Sequence, residues 1–154
     1  MYAFLLALHS LVRWFVLLSL VLAIARAYHG WFTGRKFSKA DHRLRIVTVT
    51  IAHTQLLIGI WLYFISPLVT VFMQHFKQMV HERHIRFFGM EHITMMLIAI
   101  VLLTIGSAKT IRKPTYKQQF KCMAIWFSIA LVIIFLSIPW SFSPFTARPL
   151  LRWF

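Results

Sequence analysis

The sequence predicts an all-α integral membrane protein: a four-helix transmembrane bundle with an interfacial amphipathic helix between helices two and three. Three observations predict this fold. Of the 154 residues, 60% are hydrophobic and only three are Asp or Glu, which is too little polar surface for a soluble domain of this size. The apolar residues form four blocks, each near the roughly 20 residues that a membrane-spanning helix needs. Basic residues are concentrated between these blocks, where membrane proteins carry their topology signal.

The four spans account for most of the chain, so we expect a single transmembrane domain over 1–154. They are predicted at about 3–27, 46–65, 88–107 and 120–140. The first block lacks a preceding basic segment and is longer than a signal-peptide core, so we interpret it as a retained helix. Proline ends the second span at position 67, because it restricts the residue before it and cannot continue the helical hydrogen bonding.

The segment between the second and third spans carries an amphipathic pattern. Its apolar residues recur at helical spacing: Leu68, Val69, Phe72, Met73, Phe76 and Val80. Such a pattern is typical of a helix that lies along a membrane surface. We expect a membrane-hugging connector here, and a lid over the bundle is the alternative.

The distribution of positive charge predicts the topology. Eleven of the seventeen Lys and Arg residues lie in the first and third inter-span segments: Arg26, Arg35, Lys36, Lys39, Arg43, Arg45, Lys109, Arg112, Lys113, Lys117 and Lys121. By the positive-inside rule these segments are cytoplasmic, so both termini face the non-cytoplasmic side. The net charge of +14 could suggest a nucleic-acid partner. Because the basic residues lie beside the spans, the topology signal accounts for this charge, and we expect no nucleic-acid partner.

A few ionisable side chains lie inside the spans, where a charged group costs about 2.5–3.5 kcal/mol at the helix centre. They include His9 and Arg13 in the first span, and Glu91 and His92 in the third. Both histidines lie near the outer ends of their spans, roughly 7–9 Å deep at about 1.5 Å per residue. Since the first and third spans run in the same direction, the two imidazoles can face each other as the axial ligands of a haem iron.

The neighbours of these histidines suit the same site. Arg13 follows His9 by one turn on the same helical face, where its guanidinium could bind a haem propionate. Glu91 is adjacent to His92, and could orient an imidazole or pair with Arg13. We therefore predict all four as cofactor-binding residues, with the two histidines as iron ligands. The alternative is an Arg13–Glu91 ion pair that only stabilises the bundle.

Other histidines are weaker candidates. His53 lies some 12 Å deeper than His92 by the helical rise, and with Gln55 it predicts an interhelical hydrogen bond and no ligand role. The connector contains three more histidines: His75, His81 and His84. Their spacing could hold copper or zinc. The alternative is that these side chains are simply solvated.

Three stretches carry a family resemblance: LHSLVRW at 8–14, AHTQLLIG at 52–59 and EHITMM at 91–96. With them the chain resembles the small four-helix bacterial membrane proteins labelled cytochrome b, and is more distantly similar to one four-helix half of haem A synthase. The resemblance covers about the first 110 residues and implies that His9 and His92 are the axial ligands of a haem b. Haem A synthase has two such halves and this chain has one, so its hydroxylation activity is not carried over.

We therefore expect a haem b-binding redox protein of the cytoplasmic (inner) membrane. It would act as an oxidoreductase or electron-transfer subunit, with a quinol or other membrane redox subunits as partners, and an oligomer is compatible with this reading. Two other classes stay open. One is a cofactor-free structural or assembly subunit of a larger membrane complex; the other is a copper or proton-coupled transporter that uses His92, Met95 and Met96.

Overall fold

The structure, a computed structural model, describes residues 1–140. The C-terminus, which the charge distribution predicts to face the non-cytoplasmic side, lies outside the described residues. Within this range the chain is helical and contains no strand. In chain order the elements are α1 (Tyr2–Thr33), α2 (Lys39–Ile65), α3 (Pro67–Gln74), α4 (Phe76–Met79), α5 (Arg83–Arg86), a π-helical turn (Phe87–Glu91), α6 (His92–Ile111) and α7 (Tyr116–Ser137).

The predicted four-helix, all-α class is confirmed. Four helical stretches are long and apolar enough to cross a membrane, namely α1, α2, the continuous stretch Arg83–Ile111, and α7. At most 44% of any of their apolar windows is buried inside the bundle. The large apolar surface that faces outward therefore suggests a lipid bilayer environment.

The long helices form a ring in which α1 packs mainly on α2 and α7, and α6 also packs on α2 and α7. As a result α1 and α6 are diagonal partners that run in the same direction. The side chains with no exposed surface lie mostly toward the end of the bundle away from α3, and many are alanines that let the helices approach closely. They include Leu20, Ala23, Ala27, Ala52, Leu103, Phe120, Ala124 and Phe127.

A buried carboxylate joins α1 to α2 at that end. Asp41, 1% exposed, forms ion pairs with Arg26 at 3.0 Å and with Arg35 at 2.7 Å. Its hydrogen bonds to Arg35 raise the pKa of that guanidinium above its ordinary value. Asp41 also accepts from the backbone N–H of Ser38 while the Ser38 hydroxyl caps the helix, so the start of α2 is a capping box.

A buried cation joins α2 to α6. The Arg45 guanidinium donates to both the backbone carbonyl and the hydroxyl of Ser107, near the C-terminal end of α6. The carbonyls at a helix C-terminus carry partial negative charge and partly compensate a buried cation. Arg45 is therefore a structural contact between two helices.

The connector between α2 and α6 is not one amphipathic helix but the three short helices α3 to α5. Of its predicted apolar face, Val69 and Phe72 are buried, whereas Met73 and Phe76 are exposed. Phe72 packs on Gly89, where an added Cβ would overlap the ring. That contact holds α3 against the end of the bundle, so the chain must turn back to reach α6.

Candidate functional site

A cavity opens between the four long helices beneath α3. Its volume is about 170 Å³. Apolar side chains form most of its wall, and a few polar residues face it, among them His9, Arg13, Gln55, Tyr63 and His92.

His9 and His92 meet in this cavity. Their ring centres are 6.4 Å apart and the ring planes are inclined by 71°. The structure thus shows the predicted juxtaposition of two level imidazoles on parallel helices. A metal ion about 2 Å from one nitrogen of each ring, with the two nitrogens on opposite sides of it, would set the ring centres about 6 Å apart.

The end of α7 orients the His92 ring. Pro139 keeps the chain from continuing the helix beyond Ser137, so the Ser137 carbonyl is free to accept a bond from a side chain. His92 Nδ1 lies 2.8 Å from that oxygen. Within residues 1–140 no hydrogen bond involves His92 Nε2, which is the arrangement expected of an imidazole that binds metal through Nε2.

The π-helical turn directly precedes His92. Phe87–Glu91 has the wider hydrogen-bond spacing of a π-helix, after which regular α-helix resumes at His92. Such turns are rare in proteins and occur frequently at functional sites, because they rotate the following residues relative to a regular helix.

The His9 ring has a different setting. Its Nδ1 is buried without a hydrogen bond to any residue from 1 to 140. The ring lies against Gly59 on α2, where an added Cβ would be 3.1 Å from His9 Cε1. Gln55 donates from Nε2 to the His9 backbone carbonyl at 2.8 Å, and its own Oε1 is buried without a partner in the described part of the chain. Buried polar atoms without partners are uncommon, and an absent ligand or water is one recognised cause.

Arg13 lies where the sequence places it, one turn from His9 on the cavity wall. Its guanidinium is 3.4 Å from the Ser10 hydroxyl and packs near two indole rings, with 5.6 Å to the centre of Trp14 and 5.9 Å to that of Trp140. This position suits a guanidinium that binds an anionic group in the cavity.

Glu91 has a different partner from the one predicted. Its carboxylate is 2.6 Å from Arg86 Nε, and Arg86 also donates to the Val80 carbonyl at 3.0 Å. In the structure Glu91 therefore pairs with Arg86 instead of Arg13, and it is the Ser137 carbonyl that His92 Nδ1 contacts. The reason is geometric, since adjacent residues on a helix point about 100° apart, and Glu91 faces the connector while its neighbour His92 faces the cavity.

The remaining histidines lie away from the cavity. His53 Nε2 is 3.3 Å from the Thr104 hydroxyl on α6, which confirms the predicted interhelical hydrogen bond. Among the described residues, no group of three or more His, Cys, Asp or Glu side chains is placed to hold a metal ion, so the connector histidines do not form such a site there. His84 instead packs its ring against Phe88 at 5.3 Å.

Sequence reasoning missed two contributors to the site: the Ser137 carbonyl, and the bond from the Tyr63 hydroxyl to the Gly89 carbonyl at 2.7 Å. Pro139 marks a helix end and so a free carbonyl nearby, whereas the Tyr63 contact has no local signal. Gly59, a small residue that the sequence offers as room for a flat macrocycle, lies against the His9 ring.

No family model, no curated protein and no solved structure matches this chain. The class to which fold and site point is a four-helix bundle of membrane-protein composition with a paired-histidine cavity.

Proposed function

We propose that this chain is a haem b-binding electron-transfer protein of the cytoplasmic membrane. The observation that carries the proposal is the His9–His92 pair, with ring centres 6.4 Å apart on diagonal helices at an apolar cavity. Two features fit a haem: the wall of the cavity is mostly apolar, and no Cβ at Gly59 crowds the His9 ring.

Each residue has a proposed task. His9 and His92 hold the iron, and Arg13 binds a propionate through charge-assisted hydrogen bonds. The apolar wall excludes water, and the Ser137 carbonyl fixes the tautomer of His92. The bound group supplies one-electron transfer, and the protein supplies its ligands and its dry surroundings.

The charge distribution supports the proposed orientation. The loop from α1 to α2 and the loop from α6 to α7 expose lysines to solvent, with Lys36 in the first and Lys113 in the second. Such loops stay on the cytoplasmic side. The cavity, at the other end of the bundle, then lies near the outer face of the membrane.

A membrane quinol is the proposed electron donor, since an apolar donor can reach a site near the membrane surface from within the bilayer. Glu91 is the proposed proton acceptor, because its carboxylate is partly exposed and the residue directly precedes His92 in the chain. With a short-chain quinol as reductant, E91Q should be reduced more slowly than the parent protein. Unchanged reduction would remove Glu91 from this role.

The haem proposal itself is tested by paired variants. H9A and H92A should each lose the low-spin reduced spectrum, with its sharp α band, in solubilised membranes. H29A, at an exposed position on α1, and H53A, outside the cavity, are the matched controls and should keep it.

Two results would overturn the proposal. One is a parent protein without haem b in a pyridine extract; the other is an H9A or H92A spectrum identical to those of the controls. A haem-free parent protein would favour the structural-subunit alternative, and bound copper in metal analysis would favour the transporter.

A further inference from the structure

The two histidines are held unequally. We propose that His92 is the anchored axial ligand and His9 the exchangeable one, so that a neutral diatomic ligand such as carbon monoxide binds the ferrous iron in place of His9. This inference rests on the proposed function, and it adds small-ligand binding to electron transfer.

His92 is anchored through its other nitrogen and through packing. Nδ1 is 2.8 Å from the Ser137 carbonyl, a backbone atom at the end of α7. The ring also packs against Phe87 and Phe88, with centre-to-centre distances of 5.7 and 6.3 Å. Hydrogen bonds of this kind fix a ligating imidazole and raise its basicity, and their loss typically costs 10–100-fold in metal affinity.

His9 has no equivalent restraint within residues 1–140. Its Nδ1 is buried and makes no hydrogen bond there, although Gln55 is bonded to the backbone of the same residue. The Gln55 carbonyl oxygen, which could accept from an imidazole N–H, is also buried without a partner in that range. On the side of Gly59 the ring meets a backbone without a Cβ.

The cavity provides room for the exchange. His9 is partly exposed and lines the cavity, so part of its ring is not packed against protein. Arg13 lies one turn away on the same wall and supplies hydrogen-bond donors on the His9 side. Donors and steric access on the distal side decide whether a haem protein binds small ligands.

The chemistry is a ligand substitution. The bond between iron and the His9 nitrogen breaks, and a bond between iron and the carbon of CO forms. The iron stays ferrous, no electron or proton is transferred, and the bond to His92 is kept.

The probe is carbon monoxide added to the dithionite-reduced, purified protein. We expect the Soret band of the six-coordinate form to shift to that of a CO adduct, at a rate that reaches a plateau with rising CO because His9 release becomes limiting. A reduced low-spin spectrum that CO-saturated buffer leaves unchanged would overturn the inference.

Two variants test which histidine leaves. H9A should keep haem in a high-spin form and bind CO faster and without a plateau, whereas H92A should lose most of its haem. Retention of haem by H92A together with its loss from H9A would reverse the assignment. Should either variant fail to fold, the CO response of the parent protein still decides whether an axial ligand exchanges.

The two proposals fail in different ways. A protein without any haem spectrum contradicts the proposed function and the inference together. A protein with a stable six-coordinate haem that never reacts with CO contradicts only the inference.

Discussion

Asp41 shows how this bundle accommodates a charge. It is 1% exposed, yet it accepts hydrogen bonds from two arginines and from Ser38, so the cost of burying the carboxylate is offset. Glu91 is partly exposed and paired. At the cavity, by contrast, the buried Nδ1 of His9 and Oε1 of Gln55 have no hydrogen-bond partner within residues 1–140, and a bound group or a water could supply one.

The first prediction concerns Asp41. D41N should lower the free energy of unfolding by roughly 1–3 kcal/mol, because the two guanidinium groups lose the buried negative charge and one of its two acceptor oxygens. Thermal unfolding in detergent measures the change. E82Q, at an exposed position, is the matched control and should unfold as the parent does. Equal unfolding temperatures for D41N and E82Q would show that the network adds nothing to stability.

The second prediction concerns Gly59. G59A adds a Cβ 3.1 Å from His9 Cε1, so the ring must move and its bond to iron should weaken. The measured result should be a larger high-spin fraction in the visible spectrum. Since alanine favours a helix over glycine by roughly 0.8–1.0 kcal/mol, the variant should not unfold more easily. The control L57A, at an outward-facing position of α2, should leave the spectrum unchanged. A G59A spectrum equal to that of L57A would contradict the contact between Gly59 and His9.

At the residue scale, the depth of each polar group could be predicted from the sequence, but its direction could not. Counting residues from the span ends placed His9 level with His92, and the structure brings them together. The partner of Glu91 depends on where the connector places Arg86, and the acceptor for His92 is a backbone atom of a helix 45 residues later. Neither has a local pattern.

At the scale of elements, α3 and the π-helical turn act as one unit at the end of the bundle. Phe72 is 3% exposed and lies on Gly89, whose carbonyl accepts from the Tyr63 hydroxyl. These contacts hold α3 over the cavity and set the start of α6. The position of His92 thus depends on packing in a neighbouring element.

The third prediction tests this unit. G89A should destabilise the protein by roughly 1–3 kcal/mol, because the new Cβ would overlap the Phe72 ring. In an F72A background the same change should have little further effect, since the ring is gone and the two sites are coupled. Unfolding followed by circular dichroism measures both. A G89A effect of the same size in both backgrounds would contradict the contact.

The long helices were predictable because an apolar block of bilayer length can form few structures other than a membrane-spanning helix. The ends of the helices were less predictable: α1 runs to Thr33 and α2 begins at Lys39, beyond the apolar blocks. The capping box at Ser38 and Asp41 explains the early start of α2. The connector was predicted as amphipathic, and its division into α3 to α5 follows from tertiary packing that periodicity does not report.

At the scale of the whole molecule, charge and apolar surface define two different ends. Basic side chains cluster beside one end of the bundle, and the cavity opens at the other. This polarity was predictable from the order of spans and loops. That the ring order makes α1 and α6 diagonal partners is a result of packing, and it is what lets two histidines share one cavity.

The fourth prediction concerns the orientation. In a C122S background, which lacks native cysteine, single cysteines replace exposed lysines. K77C should react with a membrane-impermeant maleimide in intact cells, whereas K36C and K113C should react only after lysis. Labelling of K36C but not K77C in intact cells would show the opposite orientation.

The most direct test of the central claim is the electron paramagnetic resonance spectrum of the oxidised, purified protein. Two imidazoles on one ferric haem give a low-spin signal, and the 71° inclination of the ring planes predicts the strongly anisotropic form that steeply inclined imidazoles produce. A purely high-spin signal, or a protein without haem iron, would contradict the shared ligation of one iron by His9 and His92.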